Sequence, residues 1–278
     1  MNQSLLKPHD CSAGKKDASL KIKIVDRLER GLAYGEACFE TFRVINGRVF
    51  DWPGHWHRLA GGLAEYGLLL PVGLDEEILF ACLREAAKAG PDTLVRLTVS
   101  GGESVWGLTA RADAPAVYIQ CMPYTKNPAP AFLRLESWPF PLKLKTAKFT
   151  ADYAETLRAL HGAADMHVLF EQGGQLLATA TANILLYRDG CWFTPSAEAG
   201  VLPGRVRDLL VRHGLVTEQP CPLSWLADCE AAAVCNSGLF IQPVAYIAGV
   251  NREEPLDIHH MALQPLIEVL QNQEGVSL

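Results

Sequence analysis

Hydrophobic and polar residues alternate along some parts of the chain and follow a helical period along others. Alternation predicts strands at residues 21–25, 93–100 and 116–122. Asn46 and Gly47 separate two β-prone runs in "CFETFRVINGRVFDW", which predicts a type I′ hairpin. A helical period predicts helices near residues 55–66 and 75–89, and Gly90-Pro91 ends the second.

Strands dominate the second half of the chain. They are predicted at residues 133–137, 142–149, 167–170, 176–177, 184–187 and 191–193. Helices are predicted at about residues 151–162 and 203–213. We therefore expect an α/β (α+β) fold with a flexible extension over 1–20, a small α/β domain over 21–124, a proline-rich linker over 125–131 and a larger domain over 132–278.

Composition and charge narrow the classes of function. The chain has 278 residues, of which 49% are hydrophobic, and a net charge of −6. This supports a sizeable core, and the scattered basic residues give no footprint for nucleic acid or anionic membranes. No apolar run reaches the length of a membrane span. The polar N-terminus has no apolar signal segment, so we expect a cytoplasmic protein that acts on a small molecule.

The eight cysteines form no CxxC pair and have no histidine at ligand spacing. We therefore expect no metal site, and buried, reduced thiols rather than disulfides. His55 and His57 would lie on different faces of their predicted helix, and we interpret both as ordinary helix residues.

Three lysines fall within the predicted strand "LKLKTAKF". Because alternate side chains of a strand share a face, Lys143 and Lys145 are expected on a solvated face, whereas Lys148 lies on the face of the leucines and points inward. An inward lysine needs an anionic partner or has a depressed pKa, and a neutral amine is what imine formation with a carbonyl cofactor requires. A snorkelling or salt-bridged lysine is the alternative at this point.

A second candidate feature is the helix start in "GVLPGRVRDLLVRHG". Its free N–H groups and positive dipole end form a natural anion site, and Arg205 and Arg207 add positive charge. Together with an inward lysine, this site indicates a phosphate-bearing aldehyde, namely pyridoxal 5'-phosphate (PLP).

Five motifs, in the same order, resemble those of the fold-type IV PLP enzymes, which include branched-chain and D-amino-acid aminotransferases and aminodeoxychorismate lyase. The motifs are "DRLERGLAYGEACFETFRV", "HWHRL", "KFTADYAETL", "GVLPGRVR" and "VCNSGLFIQPV". The resemblance implies a small N-terminal α/β domain, a larger C-terminal pseudo-barrel domain, PLP as cofactor and a homodimer.

The resemblance also implies a role for individual residues. Lys148 would be the catalytic lysine that forms the Schiff base, and Tyr153 would hydrogen-bond the 3′ oxygen of the cofactor. The phosphate would be held by Arg58, by the backbone amides of Arg205 and Val206, and by Ser237.

One departure from the family pattern bears on activity. The glutamate that pairs with the pyridine nitrogen in the family falls on Ala178, and without it the ring is a weaker electron sink. Thr179 or Thr181 is a candidate to bond the nitrogen instead. The lysine segment also reads "TAD" where the family usually carries glycine or asparagine, and Val206 replaces a threonine.

The missing carboxylate should hurt transamination most, since that reaction repeatedly forms a carbanion, whereas aromatisation helps to drive the lyase reaction. We therefore expect a PLP-dependent lyase that converts 4-amino-4-deoxychorismate to 4-aminobenzoate and pyruvate for folate synthesis. The alternatives are a D-amino-acid or branched-chain amino-acid aminotransferase, and a degenerate, non-catalytic family member.

Four residues are candidates for contact with the substrate. Arg43 or Arg96 would recognise a carboxylate, and each is equally explained as a salt-bridge partner. Tyr34 and Phe39 would line the pocket, although aromatic residues beside a hairpin are also typical of a core.

Overall fold

The computed structural model describes residues 22–161, 168–252 and 254–276. The expected extension over residues 1–20 lies outside the described residues. The strands are β1 (Leu28–Glu29), β2 (Ala37–Ile45), β3 (Arg48–Val49), β4 (Asp92–Ser100), β5 (Glu103–Ser104), β6 (Ala116–Pro123), β7 (Ala131–Ser137), β8 (Val168–Gln172), β9 (Gln175–Thr179), β10 (Asn183–Arg188), β11 (Cys191–Thr194), β12 (Val216–Glu218), β13 (Ala231–Asn236) and β14 (Phe240–Ala248). The helices are α1 (Arg30–Tyr34), α2 (Trp52–Glu65), α3 (Leu74–Ala89), α4 (Tyr153–Leu160), α5 (Arg205–Arg212) and α6 (Leu263–Gln271). None of these helices combines the length and the apolar character that crossing a bilayer requires.

The first sheet is antiparallel, with the strand order β3-β2-β4-β6. Asn46 and Gly47 join β2 to β3 with positive φ angles of 49° and 76°, which confirms the predicted type I′ hairpin. β2 and β4 pair along their full length, from Ala37 opposite Ser100 to Ile45 opposite Asp92. This long ladder makes β2 and β4 a rigid support for the side chains that they present.

The two predicted helices of the first half are confirmed as α2 and α3, and both contribute to the core of this sheet. α2 has proline in its first turn, and α3 has three acidic residues in its first turn, where the helix dipole favours negative charge. Leu59 and Leu63 of α2 pack in one cluster with Ile78 and Cys82 of α3 and with Val95 of β4. The cluster fixes α2 beside β2.

The second sheet closes on itself. Its order is β12-β11-β10-β13-β14-β7-β8-β9, and β9 pairs back to β10 where Ala178 lies opposite Asn183. Six strands therefore form a ring of mixed direction, since β7 runs parallel to both β14 and β8. The closure rests on that one residue pair, and a ring of paired strands exposes fewer free edges than an open sheet. The ring confirms the expected pseudo-barrel.

One hydrophobic cluster joins the two sheets. Ile45 and Phe50, from the hairpin of the first sheet, pack with α5, α6 and β13. The last strand of the first sheet ends at Pro123, and the first strand of the closed sheet begins at Ala131. The division into domains at residues 125–131 stays a prediction.

Two predicted strands are wrong. Residues 22–25 form no strand, and Ile24 is 96% exposed. Residues 142–149 form no strand either, because only Phe149 makes an isolated bridge, to Cys38. Alternation of leucine and lysine produces the pattern of a strand, but the segment has no neighbouring strand to complete a ladder.

Because residues 142–149 are not a strand, the lysines of this segment do not alternate between two faces. Leu142 and Leu144 are exposed, so the face of the leucines is not the inward one. Lys143 is exposed, as expected. Lys145 is half-buried over the ring of Trp138, at 5.5 Å from the ring centroid, so the prediction of a solvated Lys145 is wrong.

Candidate active site

Lys148 lies where two cavities meet. It lines a large cavity of about 720 Å³ and a small cavity of about 90 Å³. Its carbonyl oxygen accepts a hydrogen bond from the backbone N–H of Phe39 at 3.0 Å, which ties the segment to β2. Its Nζ lies 5.5 Å from the centroid of the Phe39 ring. The inward position of Lys148 therefore comes from the contact with β2 and not from strand alternation.

Burial lowers the pKa of the Lys148 amine to about 8. Glu40 opposes this change because its negative charge favours the ammonium form, whereas Arg58 and Arg96 add to the lowering. Both protonation states are consequently accessible near neutral pH, as a nucleophilic or acid–base lysine requires.

Arg58 is held in place by Glu40. The guanidinium donates two hydrogen bonds of 2.7 Å to the two carboxylate oxygens of Glu40 and a third, of 2.8 Å, to the carbonyl of Pro203. The Nδ1 atom of His55 lies 2.7 Å from the same carboxylate. Since a guanidinium carries five N–H donors, two remain for another acceptor at the small cavity, which Arg58 lines.

The pKa values of Glu40 and His55 are shifted because both side chains are buried together with Arg58. Burial alone would raise the pKa of Glu40, but Arg58 and His55 outweigh it and hold that pKa well below its usual range. Burial lowers the pKa of His55, so its ring is neutral at pH 7. We did not predict Glu40 from the sequence. Glu40 lies among apolar residues in the β-prone run before Asn46, and a glutamate that is buried there needs a buried cation.

The N-terminus of α5 opens onto the small cavity. Gly204 caps the helix with extended backbone and no side-chain hydrogen bond, so the N–H groups of Arg205 and Val206 point into the space before the helix without a side-chain cap. A Cβ atom at Gly204 would overlap Oδ1 of Asn183. Asn183 is itself held by a 2.9 Å hydrogen bond from Nδ2 to the carbonyl of Leu202. Because position 204 has no side chain, the space before the first turn of α5 stays open to an anion.

The arginine side chains of α5 point elsewhere. Arg205 binds Asp51 at 2.6 Å, and Arg207 is buried and binds Glu218 at 2.9 Å. Arg205 also lines the small cavity, and its backbone N–H can donate there. Ser237 is buried, lines both cavities and brings a hydroxyl to the same space.

Tyr153 begins α4 five residues after Lys148 and also lines both cavities. Its ring centroid lies 4.9 Å from that of Phe39. Burial raises the pKa of the phenol, so the hydroxyl stays protonated and can donate a hydrogen bond.

The structure separates the four candidates for substrate contact. Phe39 and Arg96 line the large cavity, with the guanidinium carbon of Arg96 3.7 Å from the Phe39 ring centroid. Arg43 binds Asp92 through two nitrogens and lies 4.0 Å from the ring centroid of Tyr124.

Tyr34, the fourth candidate, is 39% exposed, and the guanidinium carbon of Arg30 lies 5.0 Å from its ring centroid. Neither Tyr34 nor Arg43 is among the residues that line the large cavity. A contact of either residue with substrate stays a prediction.

Ala178, Thr179 and Thr181 all line the small cavity. The Thr179 hydroxyl donates to the carbonyl of Ala182 at 3.0 Å and accepts from its N–H at 2.8 Å, so it is committed to the turn between β9 and β10. Among the residues that the structure describes, Thr181 makes no side-chain hydrogen bond. The sequence argument also missed Asp152, which lines the same cavity.

The small cavity and the adjoining end of the large cavity, which share Lys148, Tyr153 and Ser237, together carry groups that suit a phosphorylated aldehyde. An uncapped helix N-terminus, the free donors of Arg58 and the Ser237 hydroxyl can hold a phosphate. The Lys148 amine can bind an aldehyde carbon, and the Tyr153 hydroxyl can donate to a ring oxygen. The residues shared with the large cavity, Lys148 among them, leave a way for a substrate to approach the amine.

Sequence comparison places this arrangement in a known family. The class IV amino-transferase family profile matches residues 37–247. An aminodeoxychorismate lyase of Bacillus subtilis is 25% identical over 248 residues, which cover 83% of this chain and 84% of the relative. A D-alanine aminotransferase of Listeria monocytogenes is 24% identical over 252 residues, with 82% and 83% covered.

Solved structures share the fold. A branched-chain amino acid aminotransferase from Escherichia coli superposes with a TM-score of 0.73 at 20% identity, covering 91% of this chain and 88% of the other. A 4-amino-4-deoxychorismate lyase from Pseudomonas aeruginosa has a TM-score of 0.72 at 21% identity, covering 91% and 96%. Because the family profile matches more than half of the chain, the protein belongs to the class IV aminotransferases, a family of PLP-dependent lyases and aminotransferases.

Proposed function

We propose that this protein is a PLP-dependent lyase that converts 4-amino-4-deoxychorismate to 4-aminobenzoate and pyruvate. The observation that carries the proposal is the charge in the large cavity, where Arg96 and Lys126 line the space next to Lys148. Neither cation forms an ion pair within the described parts of the chain. The lyase substrate has two carboxylates, whereas D-alanine and the branched-chain amino acids each have one. Two unpaired cations therefore suit the lyase substrate better.

The size and walls of the large cavity support the same substrate. A volume of about 720 Å³ is in the range of sites that enclose a small organic molecule. Phe39, Tyr124, Leu263 and Ile267 supply aromatic and aliphatic surface for the six-membered ring.

The residues of the small cavity would hold the cofactor. Lys148 would bind it covalently through Nζ, Tyr153 would donate to its 3′ oxygen, and Arg58, Ser237 and the first N–H groups of α5 would hold its phosphate. Bound PLP would supply an electron-withdrawing ring that accepts electron density from the substrate carbon next to the amino group.

Lys148 would then move the proton of the reaction. One proton leaves the ring carbon that bears the amino group, the bond from the ring to the enolpyruvyl oxygen breaks, and one proton returns to the departing group to give pyruvate. An amine with a pKa of about 8 can take and return that proton near neutral pH. Arg96 and Lys126 would orient the two carboxylates so that this carbon lies near Nζ.

An activity assay tests the proposal. The PLP-loaded protein should release 4-aminobenzoate and pyruvate in equal amounts from 4-amino-4-deoxychorismate. Arg96→Met should raise KM by about 10-fold, the value of one lost charge-assisted hydrogen bond, while the visible spectrum of bound PLP stays unchanged. Arg84→Met, on the exposed surface of α3, is the matched control and should leave KM unchanged.

The second candidate function is an aminotransferase for D-amino acids or branched-chain amino acids. It is favoured by the likeness to the Listeria monocytogenes enzyme over most of the chain. Amino transfer from D-alanine or leucine to a 2-oxo acid, without formation of 4-aminobenzoate, would establish this candidate and contradict the lyase.

A further inference from the structure

Two departures from the family's sequence pattern meet in one place in the structure. Ala178 stands where the family carries a glutamate for the pyridine nitrogen, and Asp152 lies in the "TAD" segment, where the family usually carries glycine or asparagine. Both residues line the small cavity together with Lys148 and Tyr153. Asp152 therefore brings a carboxylate-bearing side chain to the lining of the small cavity, where position 178 has none.

A third cavity, of about 60 Å³, shows which side of the small cavity Asp152 occupies. Asp152 and Ala178 line both of these cavities. Arg58, Gly204 and Ser237, which form the proposed phosphate end, line the small cavity but not the third. Asp152 and Ala178 therefore share a part of the lining that Arg58, Gly204 and Ser237 do not reach.

The Asp152 carboxylate is available for a ligand. Within the described chain its side chain makes no hydrogen bond or ion pair, and its backbone N–H donates to the carbonyl of Phe149 at 3.2 Å. That bond fixes the 3₁₀ turn Thr150–Asp152, which immediately precedes α4. Glu155, by contrast, is paired with Lys143 at 2.7 Å.

The charges around Asp152 agree with this availability. Burial raises the pKa of its carboxyl, Lys143 and Lys145 oppose the rise, and Glu155 and Glu65 add to it. A carboxyl in such surroundings gains free energy from an N–H donor that it can bind.

We propose that Asp152 supplies the carboxylate that faces the ring nitrogen of PLP, in place of the glutamate that is missing at position 178. The inference rests on the proposed cofactor site. A carboxylate there accepts a hydrogen bond from a protonated ring nitrogen and so favours the charged ring. The ring then keeps its electron-withdrawing character although position 178 is alanine, and the chain is not degenerate at this point.

The test is ¹⁵N NMR of the full chain loaded with PLP that is labelled at the ring nitrogen. Protonation moves this resonance far upfield, so the wild type should show the protonated position and Asp152→Asn the neutral one. The dissociation constant for PLP should rise about 10-fold in that variant, for the loss of one charge-assisted hydrogen bond. Glu155→Gln is the matched control, since Glu155 lies on the same helical segment and lines the third cavity but not the small one. It should leave both readouts unchanged.

Position 178 supplies the decisive second variant. In the Asp152→Asn background, Ala178→Glu should return the resonance to the protonated position. In the wild-type background, Ala178→Glu should leave the resonance at the protonated position, because the nitrogen is already protonated. If Asp152→Asn does not fold, Asp152→Ala and Asp152→Ser take its place, and each should show the neutral position.

Three results would overturn the inference: a neutral nitrogen in the wild type, a protonated nitrogen in Asp152→Asn, or a change from neutral to protonated in Ala178→Glu alone. A chain that binds no labelled PLP, and gives no adduct on Lys148 after borohydride, would reject the proposed function together with this inference. The two kinds of failure are therefore distinguishable.

Discussion

The Glu40 carboxylate binds two buried partners at once, the guanidinium of Arg58 and the ring of His55. Glu40 and Arg58 are 1% and 7% exposed, so either charge would be left in a poorly solvated place without the other. The pair also directs Arg58 towards the small cavity. Glu40 therefore contributes to stability and, in the proposed site, also positions the arginine that would bind the phosphate.

Removing that charge gives the first prediction. Glu40→Gln should lower the free energy of unfolding, measured in urea, by about 3 kcal/mol or more, because Arg58 loses its counter-ion in the interior. Glu85→Gln is the control on the surface of α3, where the ion pair with Lys88 is solvated, and should leave the free energy of unfolding nearly unchanged. Equal losses in the two variants would contradict the structural role of Glu40.

The lowered pKa of Lys148 gives the second prediction. Between about pH 8 and pH 10.5 the folded chain binds fewer protons at this amine than the unfolded chain. The contribution of Lys148 to stability therefore becomes more favourable as pH rises through that window. The free energy of unfolding of the wild type, relative to Lys148→Met, should increase between these pH values, and a difference independent of pH would show that the amine is not desolvated.

At the scale of elements, the position of Lys148 depends on how closely α2 approaches the segment that carries it. Gly62 lies on the buried side of α2, where a Cβ atom would overlap Ala147 and come within 3.0 Å of the Cys38 sulfur. Gly61, its neighbour, has no atom within 4 Å of such a Cβ. Substituting the two glycines by alanine therefore distinguishes the effect of tight packing, at Gly62, from the effect of helix propensity, at Gly61.

We expect opposite signs for the two alanine substitutions. Gly62→Ala should destabilise the fold by about 1–3 kcal/mol, as overpacking does, and should weaken PLP binding by displacing the lysine segment. Gly61→Ala should stabilise the helix by roughly 0.5–1 kcal/mol. Thermal unfolding and PLP titration measure both effects, and a stabilising Gly62→Ala would show that α2 does not pack tightly on Ala147.

Elements with local signals could be predicted from the sequence. The Asn46-Gly47 hairpin depends on turn chemistry within two residues, and α3 on its own periodicity. Residues 142–149 have the alternation of a strand, but their backbone finds no partner strand, and pairing is not a local property. β13 is an alanine-rich run buried along almost its whole length, so it lacks the alternation that would have revealed it.

The same limit applies to the candidate site. Motif resemblance could select Lys148, Arg58 and Tyr153, because each sits in a recognisable run of residues. The partners of the site are distant in sequence, as Glu40 is from Arg58 and Asp152 is from Ala178. Their meeting depends on the closure of the barrel and on the packing of α2, which no short window of the sequence contains.

At the scale of the whole molecule, the proposed cofactor site is lined by residues of both halves of the fold. Arg58 of α2 donates to Pro203 on the barrel side, and Asp51, just before α2, binds Arg205 of α5. Ile45 and Phe50 share a hydrophobic cluster with α5 and α6. A ligand in the small cavity should therefore stabilise both parts of the fold together.

Thermal unfolding with and without PLP tests this coupling. At a free concentration of 100 times the dissociation constant, PLP should add about 2.7 kcal/mol to the free energy of unfolding. The chain should unfold in a single transition, and PLP should move that whole transition to a higher temperature. Two transitions, of which PLP moves only one, would contradict a site shared between the sheets.

The proposed role of Asp152 also affects how the reaction of the protein is inferred. If Asp152 serves the ring nitrogen, the alanine at position 178 no longer separates a lyase from an aminotransferase. The choice between them then depends on the large cavity, which Arg96 and Lys126 line and where we propose that they bind the two carboxylates of the lyase substrate.

The central claim is that Lys148 binds PLP covalently, and borohydride reduction tests it most directly. The purified protein with PLP should show a visible absorption band that borohydride bleaches, and peptide mapping should place the label on Lys148. Lys148→Ala should abolish the band and the label, whereas Lys143→Ala, which removes an exposed lysine of the same segment, should keep both. A chain without a reducible band, or one labelled on Lys143 or Lys145, would contradict the account.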